Sequence, residues 1–195
     1  TTITTTVPAS AVSGPITLSK PGCNDAQSVA FVITVSGCTT ASFASAVNYA
    51  TGSEPLGVTI ADFNSDGKPD IATSNSSANS ISVLFGDGAG GFLPASTYPA
   101  GNGPYAIIAG DFNGDGKPDL VTANYLSNNV GILLNTGSGA FGGVTYVNVG
   151  TRPRAIATTD FNNDGKPDLA VANSNSNNVS ILLGNGNGGF GLTAT

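Results

Sequence analysis

Three nine-residue segments carry oxygen-bearing side chains at the spacing of a metal-binding loop. Each reads Asp-Phe-Asn-x-Asp-Gly-Lys-Pro-Asp, and the copies span residues 62–70, 111–119 and 160–168, so that successive copies start 49 residues apart. Oxygen-only ligands on a flexible loop suit a hard cation of the size of Ca²⁺, so the sequence predicts three calcium sites. The predicted ligands are Asp62, Asn64, Asp66, Lys68, Asp70, Asp111, Asn113, Asp115, Lys117, Asp119, Asp160, Asn162, Asp164, Lys166 and Asp168.

Each loop offers side-chain oxygens at its positions 1, 3, 5 and 9. The lysine at position 7 would contribute its backbone carbonyl, and the glycine at position 6 permits the sharp turn that folds a short loop back on itself. Those glycines are Gly67, Gly116 and Gly165. Three carboxylates in one short loop would repel each other without a cation between them, which favours a bound metal.

The loops differ from an EF-hand, which needs Glu at position 12 and a helix on each side. Position 12 is Thr73, Thr122 and Val171 here, and the flanking sequence is typical of strands. An alternative interpretation is an acidic surface turn, because Asp, Asn and Gly are common between strands. Three copies in register, which hold nine of the twelve acidic residues, favour metal binding.

The composition excludes several classes of function. A net charge of −6 argues against nucleic acid or an anionic membrane as partner, and no apolar run reaches the length of a transmembrane helix. The absence of His removes Ser-His and Cys-His catalysis and the common zinc sites. Three bound Ca²⁺ would neutralise the formal charge. With no Met and no signal peptide, the chain is expected to be a processed product or a fragment.

The two cysteines, Cys23 and Cys38, fit an oxidised extracellular setting, where calcium is plentiful enough for weak sites. If residues 15–20 and 29–35 form a hairpin, the cysteines lie roughly 26 Å apart at ~3.3 Å per residue. A disulfide requires Cα atoms within about 7 Å. A bond within the chain and a bond to a neighbouring chain are therefore both open.

The loops belong to a repeat of 49 residues that begins at a phenylalanine. The period is marked by Phe43, Phe92, Phe141 and Phe190. It divides the chain into units of about 43–91, 92–140 and 141–195. In the second unit, strands are predicted at residues 106–111, 119–124 and 130–134, and an alternating strand at 143–149 ends the unit. Nearly continuous apolar runs in the inner strands predict an all-β fold of four-stranded sheets buried on both faces.

The motif, the apolar strand that follows it and the Gly-Gly-Phe turn that closes a unit resemble the FG-GAP/VCBS repeats of integrin-type β-propellers. The resemblance covers residues 43–195. It implies three four-stranded blades, with calcium in the loop between the first two strands of each blade, held by the motif residues named above. It also implies a calcium-binding, secreted or cell-surface protein with a structural or cell-adhesion role.

The first 35 residues of the chain resemble a different module. Thr-Ile-Thr-Thr-Thr-Val-Pro-Ala, Ser-Gly-Pro-Ile-Thr-Leu and Phe-Val-Ile-Thr-Val, between residues 1 and 35, resemble the last third of an Ig-like domain of the IPT/TIG type. The expected organisation is therefore a partial Ig-like β-segment with a linker over 1–40, followed by the three repeats over 41–195.

Three repeats cannot close a ring, since closed propellers need at least about four blades. The strand predicted at 44–50 would be a surplus outer strand with no blade before it, and the third unit would stop before its own outer strand. An unpaired edge is a template for strand addition, which predicts head-to-tail association with copies of the chain, a filament being favoured over a ring. The alternative is a fragment of a longer propeller.

Three functions follow from these features. The first is a calcium-stabilised extracellular structural or adhesive protein that binds copies of itself or other extracellular proteins. The second is a lectin-like module that binds carbohydrate or protein, although the five tyrosines do not recur at one repeat position and there is no Trp. Arg152 and Arg154, the only arginines, could hold an anion or a sugar acid or be plain solvated residues. The third, an enzyme, is disfavoured because no nucleophile–base pair recurs.

Overall fold

The computed structural model describes residues 45–192, which contain strands and no helix. The part of the protein predicted to be Ig-like, and both cysteines, lie outside the described residues. The strands are β1 (Pro55–Ala61), β2 (Asp70–Asn75), β3 (Ser80–Leu84), β4 (Ser96–Pro99), β5 (Pro104–Gly110), β6 (Asp119–Asn124), β7 (Asn129–Leu133), β8 (Asn135–Gly137), β9 (Ala140–Phe141), β10 (Thr145–Asn148), β11 (Pro153–Thr159), β12 (Asp168–Asn173), β13 (Asn178–Gly184) and β14 (Phe190–Leu192).

These strands form three four-stranded antiparallel sheets and one small hairpin. The strand orders are β1-β2-β3-β4, β5-β6-β7-β10 and β11-β12-β13-β14, and β8 pairs with β9. The predicted all-β fold of four-stranded sheets is confirmed. The first and second sheets take their fourth strands from beyond the next repeat phenylalanine, because β4 and β10 follow Phe92 and Phe141. No helix of the described region is long and apolar enough to cross a membrane.

The second strand of each sheet lies between two neighbouring strands and is buried almost throughout. In β6 all six residues are buried, which explains why its sequence is a continuous apolar and small-residue run rather than an alternating one. One apolar cluster joins the first sheet to the second through Phe63, Ile81, Ile107 and Leu120. An equivalent cluster built on Phe112 and its neighbours joins the second sheet to the third.

Aromatic pairs repeat at the outer side of these clusters. Phe63 meets Phe141 at a ring-centroid distance of 5.8 Å, and Phe112 meets Phe190 at 5.6 Å. Tyr98 also packs edge-on against Phe141 at 5.1 Å.

The corresponding contact one repeat earlier joins Tyr49 to Phe92 at 5.3 Å. Tyr49 and Tyr98 therefore occupy the same repeat position. In this respect the interpretation that the tyrosines do not recur was wrong.

The sequence predicted a surplus outer strand at the start of the repeat region and a missing outer strand at its end. Residues 45–50, the described part of the predicted surplus strand, belong to no strand, although Tyr49 still makes the contact expected of an outer strand.

At the end of the repeat region, β14 pairs with Leu182, Leu183 and Gly184 as the fourth strand of the third sheet. Its first pair, Gly184 with Phe190, is the counterpart of Asn135 with Phe141 in the β8–β9 hairpin. The counterpart of β10 would begin at residue 194, outside the described residues, so the missing outer strand stays a prediction. The short β14 begins at the repeat phenylalanine itself, so the sequence pattern alone did not separate it from the preceding Gly-rich turn.

A buried asparagine closes the far end of each second strand. Asn75 and Asn124 both accept a hydrogen bond at Oδ1 from a threonine two residues earlier, Thr73 or Thr122, over 3.0 Å. The third repeat has Val171 at the threonine position. As a result Asn173 Oδ1 is buried without a hydrogen-bond partner, the only such side-chain atom among the described residues.

Restoring this hydroxyl should stabilise the protein. We expect Val171→Thr to raise the free energy of unfolding by about 0.5–1.5 kcal/mol, because it supplies the missing donor to Asn173. The matched change Thr122→Val should lower it by about 1–3 kcal/mol, because Asn124 Oδ1 would lose its donor. Urea titration measures both, and changes of the same sign in the two variants would contradict the assignment.

Candidate metal centres

Each predicted loop connects the first two strands of a sheet. The loops lie between β1 and β2, between β5 and β6, and between β11 and β12. The glycine at position 6 has a φ of 80° in the first two loops and 83° in the third. This is a left-handed backbone conformation that residues other than glycine rarely adopt. The prediction that these glycines make the turn is therefore confirmed.

Oxygens from positions 1, 3 and 5 converge on the backbone of the loop. In the first loop the N–H of Asp66 donates to Asp62 Oδ1 at 3.1 Å and to Asn64 Oδ1 at 3.0 Å. Asp62 Oδ2 accepts from the N–H of Gly67 at 2.8 Å, and Asp66 Oδ1 accepts from the N–H of Lys68 at 2.9 Å. The same bonds recur in the second and third loops.

The position-9 carboxylate has a different environment from the other two carboxylates of its loop. Asp70, Asp119 and Asp168 are fully buried. Asp119 Oδ2 accepts from the N–H of Phe112 at 2.9 Å, and its Oδ1 accepts from the N–H of Asn135 at 2.7 Å. Equivalent bonds brace the other two loops. This side chain therefore ties the start of the loop to the end of the third strand.

Burial raises the pKa of the Asp119 carboxyl above its usual value. The hydrogen bonds from the Asn135 and Phe112 N–H groups act in the opposite direction, and the negative charges of Asp115 and Asp111 raise the pKa further. The carboxylates of one loop are thus close enough to repel each other, as the sequence predicted.

The position-7 lysine pairs with the position-5 aspartate. Lys117 Nζ lies 2.9 Å from Asp115 Oδ2, and the other two pairs are at 3.4 and 3.5 Å. The side-chain hydrogen bond from Lys117, followed by its backbone N–H bond, lowers the pKa of Asp115. The sequence assigned these lysines a role through their carbonyl oxygens only. Their ammonium groups provide a partial counter-charge that the sequence analysis missed.

The loops bring the predicted oxygens together in pairs rather than in one carboxylate cage. Within residues 45–192 no group of three acidic side chains is arranged so that it could hold a metal ion. The donor set nevertheless fits Ca²⁺ in type, since it consists of carboxylate and amide oxygens with unused lone pairs. The predicted ligand set stays a prediction.

A second polar cluster, formed by the two arginines and two tyrosines, lies between the second and third sheets. The guanidinium carbons of Arg152 and Arg154 lie 5.2 and 5.1 Å from the ring centroid of Tyr125, and that of Arg154 lies 5.4 Å from the ring of Tyr105. The Tyr125 hydroxyl accepts from both arginines, at 3.0 and 3.5 Å. None of the ion pairs within the described region involves either arginine.

The same repeats are recognised by comparison with known protein families. The FG-GAP-like repeat family matches residues 62–122 and 111–171, and the FG-GAP repeat matches residues 153–191. The two matches to the FG-GAP-like repeat family together span residues 62–171, more than half of the chain, so the protein belongs to this family of β-propeller-type modules. The FG-GAP part of the predicted resemblance is confirmed, and the VCBS and IPT/TIG parts stay predictions.

One solved structure with a TM-score above 0.5 supports the fold, and two others are less similar. A protein from Lactobacillus plantarum has a TM-score of 0.53 at 13 % identity, over 75 % of this chain and 42 % of that one. BBS1N in its complex with ARL6DN scores 0.47 at 17 % identity, over 73 % and 43 %, and a Photorhabdus luminescens Tc holotoxin pore scores 0.43 at 20 %, over 69 % and 7 %. This chain thus matches less than half of each. No curated protein matches its sequence.

The position-9 carboxylate should contribute to stability without any metal. We expect Asp119→Asn to lower the free energy of unfolding by about 1–3 kcal/mol in the presence of a chelator, because an amide nitrogen would face a backbone N–H and leave it without an acceptor. The exposed Asp115→Asn should change it by less than about 0.5 kcal/mol under the same conditions. Denaturant titration in chelator compares the two, and equal losses would contradict the bracing role.

Proposed function

We propose that the protein is a calcium-binding, extracellular structural or adhesive module that associates with copies of itself. The observation that supports calcium binding best is the threefold repetition of the loop, with the position-1 and position-3 oxygens meeting at one backbone N–H in every copy. Each of these oxygens retains a lone pair after that bond. A hard cation would bind there through Asp, Asn and the position-7 carbonyl.

The proposed role of calcium is structural. Each loop joins the first two strands of a sheet and contains carboxylates that repel each other, so that a divalent cation would stabilise the folded loop relative to the unfolded chain. The affinity expected for such an extracellular module is on the order of 10⁻⁴–10⁻³ M. Binding at that strength requires the millimolar calcium found outside cells.

The family supports the extracellular assignment and a non-catalytic role. FG-GAP repeats are typical of extracellular proteins and are typically non-enzymatic. Self-association is supported by the large apolar side chains that the first and third sheets expose, Val58, Ile60, Phe161 and Val179 among them.

Chelation should lower the melting temperature. At a free calcium concentration of ~100 Kd, each independent site would add about 2.7 kcal/mol to the free energy of unfolding. We therefore expect a large downward shift in the thermal transition when a chelator replaces calcium, and recovery when calcium is restored. Magnesium at the same concentration serves as control. An unchanged melting temperature would exclude structural calcium sites.

A matched pair of variants tests the ligand assignment. We expect Asp115→Ala to destabilise the calcium-loaded protein more than Asp87→Ala, because only Asp115 is a proposed ligand. Asp87 is also exposed, and its Oδ1 accepts two backbone N–H bonds, from Ala89 and Gly91, in a Gly-rich turn. The difference should shrink in chelator. Equal losses with calcium present, measured by denaturant titration, would argue against the assignment.

A second candidate function, binding of acidic saccharides as part of a larger secreted propeller, is favoured by the cluster of Arg152, Arg154, Tyr105 and Tyr125. Its two guanidinium groups have no carboxylate partner within the described region, and guanidinium groups bind carboxylates through paired hydrogen bonds. A glycan array containing uronic and sialic acids tests this function. Signal that disappears in Arg154→Ala supports it, and a wild-type array without acidic-glycan signal excludes it.

A further inference from the structure

The third sheet exposes the face that the other two sheets bury. We call the face of each sheet that packs on the following sheet its front face, and the opposite one its rear face. On the first two sheets the front-face residues Phe63, Ile81, Phe112 and Val130 are buried. Their counterparts one repeat later, Phe161 and Val179, are 46 % and 56 % exposed.

The first sheet exposes the complementary rear face along β1, whereas the rear-face residues Thr73, Ser82 and Leu84 of its next two strands are buried. Ile107 of β5 is buried against the front face of the first sheet, and Ile156 of β11 packs in the equivalent cluster against the second. The counterpart of these residues in β1 is Val58, which is 64 % exposed. The exposed front face of the third sheet and the exposed β1 strand of the first sheet therefore correspond to residues that pack against each other at both interfaces within the molecule.

One hydrogen bond recurs at both interfaces between sheets. Counterparts of its acceptor and its donor also lie on the third sheet and at the start of the first sheet. The N–H of Gly103 donates to Asn79 Oδ1 at 2.8 Å across the first interface, and the N–H of Arg152 donates to Asn128 Oδ1 at 2.8 Å across the second. The next acceptor in the series is Asn177, on the third sheet.

The preceding donor in this series is Glu54, at the start of the first sheet. All the residues of the series have left-handed backbones, with φ between 52° and 61°. Asn177 and Glu54 therefore already have the backbone conformation of their bonded counterparts.

A pocket of about 280 Å³ lies on the third sheet, at the repeat position where the second sheet contacts the segment that starts β11. Arg154, Asn173, Asn177 and Val179 are among its lining residues. The counterparts of Arg154 and Ser174 on the second sheet are Tyr105 and Tyr125, which are covered by the segment that starts β11. The segment that starts β1 is its equivalent, and it carries Glu54 at the repeat position of Arg152.

We propose that the front face of the third sheet binds the rear face of the first sheet of a second copy. The inference rests on the proposed self-association and names its surfaces, which are sheet faces rather than the strand edges expected from the sequence. The two surfaces differ, so the contact is heterologous and the copies associate head to tail. The front face is centred on Val179 and the rear face on Val58.

Two single substitutions and their mixture test this arrangement. Val58→Asp and Val179→Asp each place a charge on one face, and desolvating it should weaken association at least about a hundredfold. Each variant alone should be monomeric by light scattering after size-exclusion chromatography in calcium and reducing agent. An equimolar mixture should form a dimer and nothing larger, because each variant keeps one intact face.

Leu126→Asp is the control, since Leu126 is 65 % exposed and lies in the turn between β6 and β7 rather than on either end face. It should associate like the wild type. Wild-type-like assembly of both face variants, or a mixture that stays monomeric, would overturn the inference while leaving the proposed self-association in place. A wild type that is monomeric at about 100 μM would overturn both, whereas the chelation result bears only on calcium.

Discussion

The structure depends on the packing of each sheet against a neighbouring sheet. The inner strands carry apolar or small residues on both faces, so one such sheet exposed to water on both sides would leave much apolar surface unburied. Each fully buried large apolar side chain contributes about 1.5–3 kcal/mol, and the two clusters between sheets contain several. The same requirement underlies the proposal that the exposed apolar residues Phe161 and Val179 of the third repeat and Val58 of the first sheet pack against a second copy.

The loops depend on a second constraint, the burial of a carboxylate. Asp70, Asp119 and Asp168 are removed from water, which is tolerated because both oxygens of each accept backbone N–H bonds. One oxygen holds the start of the loop and the other holds the end of the third strand. The position-9 residue thus couples the geometry of the candidate metal centre to the packing of the sheet, and a cation at positions 1, 3 and 5 would reinforce a loop that is already fixed at its base.

Because the repeats have equivalent positions, the contacts of one repeat indicate which contacts to expect in another. Val171 and Asn173 show this on a small scale, because the missing threonine hydroxyl is recognised only by comparison with Thr73 and Thr122. The same comparison relates Val179 to Val130 and Glu54 to Arg152. The proposed calcium sites in the loops and the proposed contact between copies lie at separate places, so each proposal can fail without the other.

The sequence by itself determined the all-β fold, the 49-residue period, the turn glycines and nearly all of the inner strands, since these depend on local patterns of apolar, β-branched and glycine residues. It did not determine the bracing role of Asp119, the ion pairs of the lysines or the absence of strand structure at residues 45–50. The partners of Asp119 include Asn135, sixteen residues further on, and a strand forms only where a neighbouring strand accepts its hydrogen bonds. Such contacts join residues that are distant in sequence, so only the tertiary structure decided them.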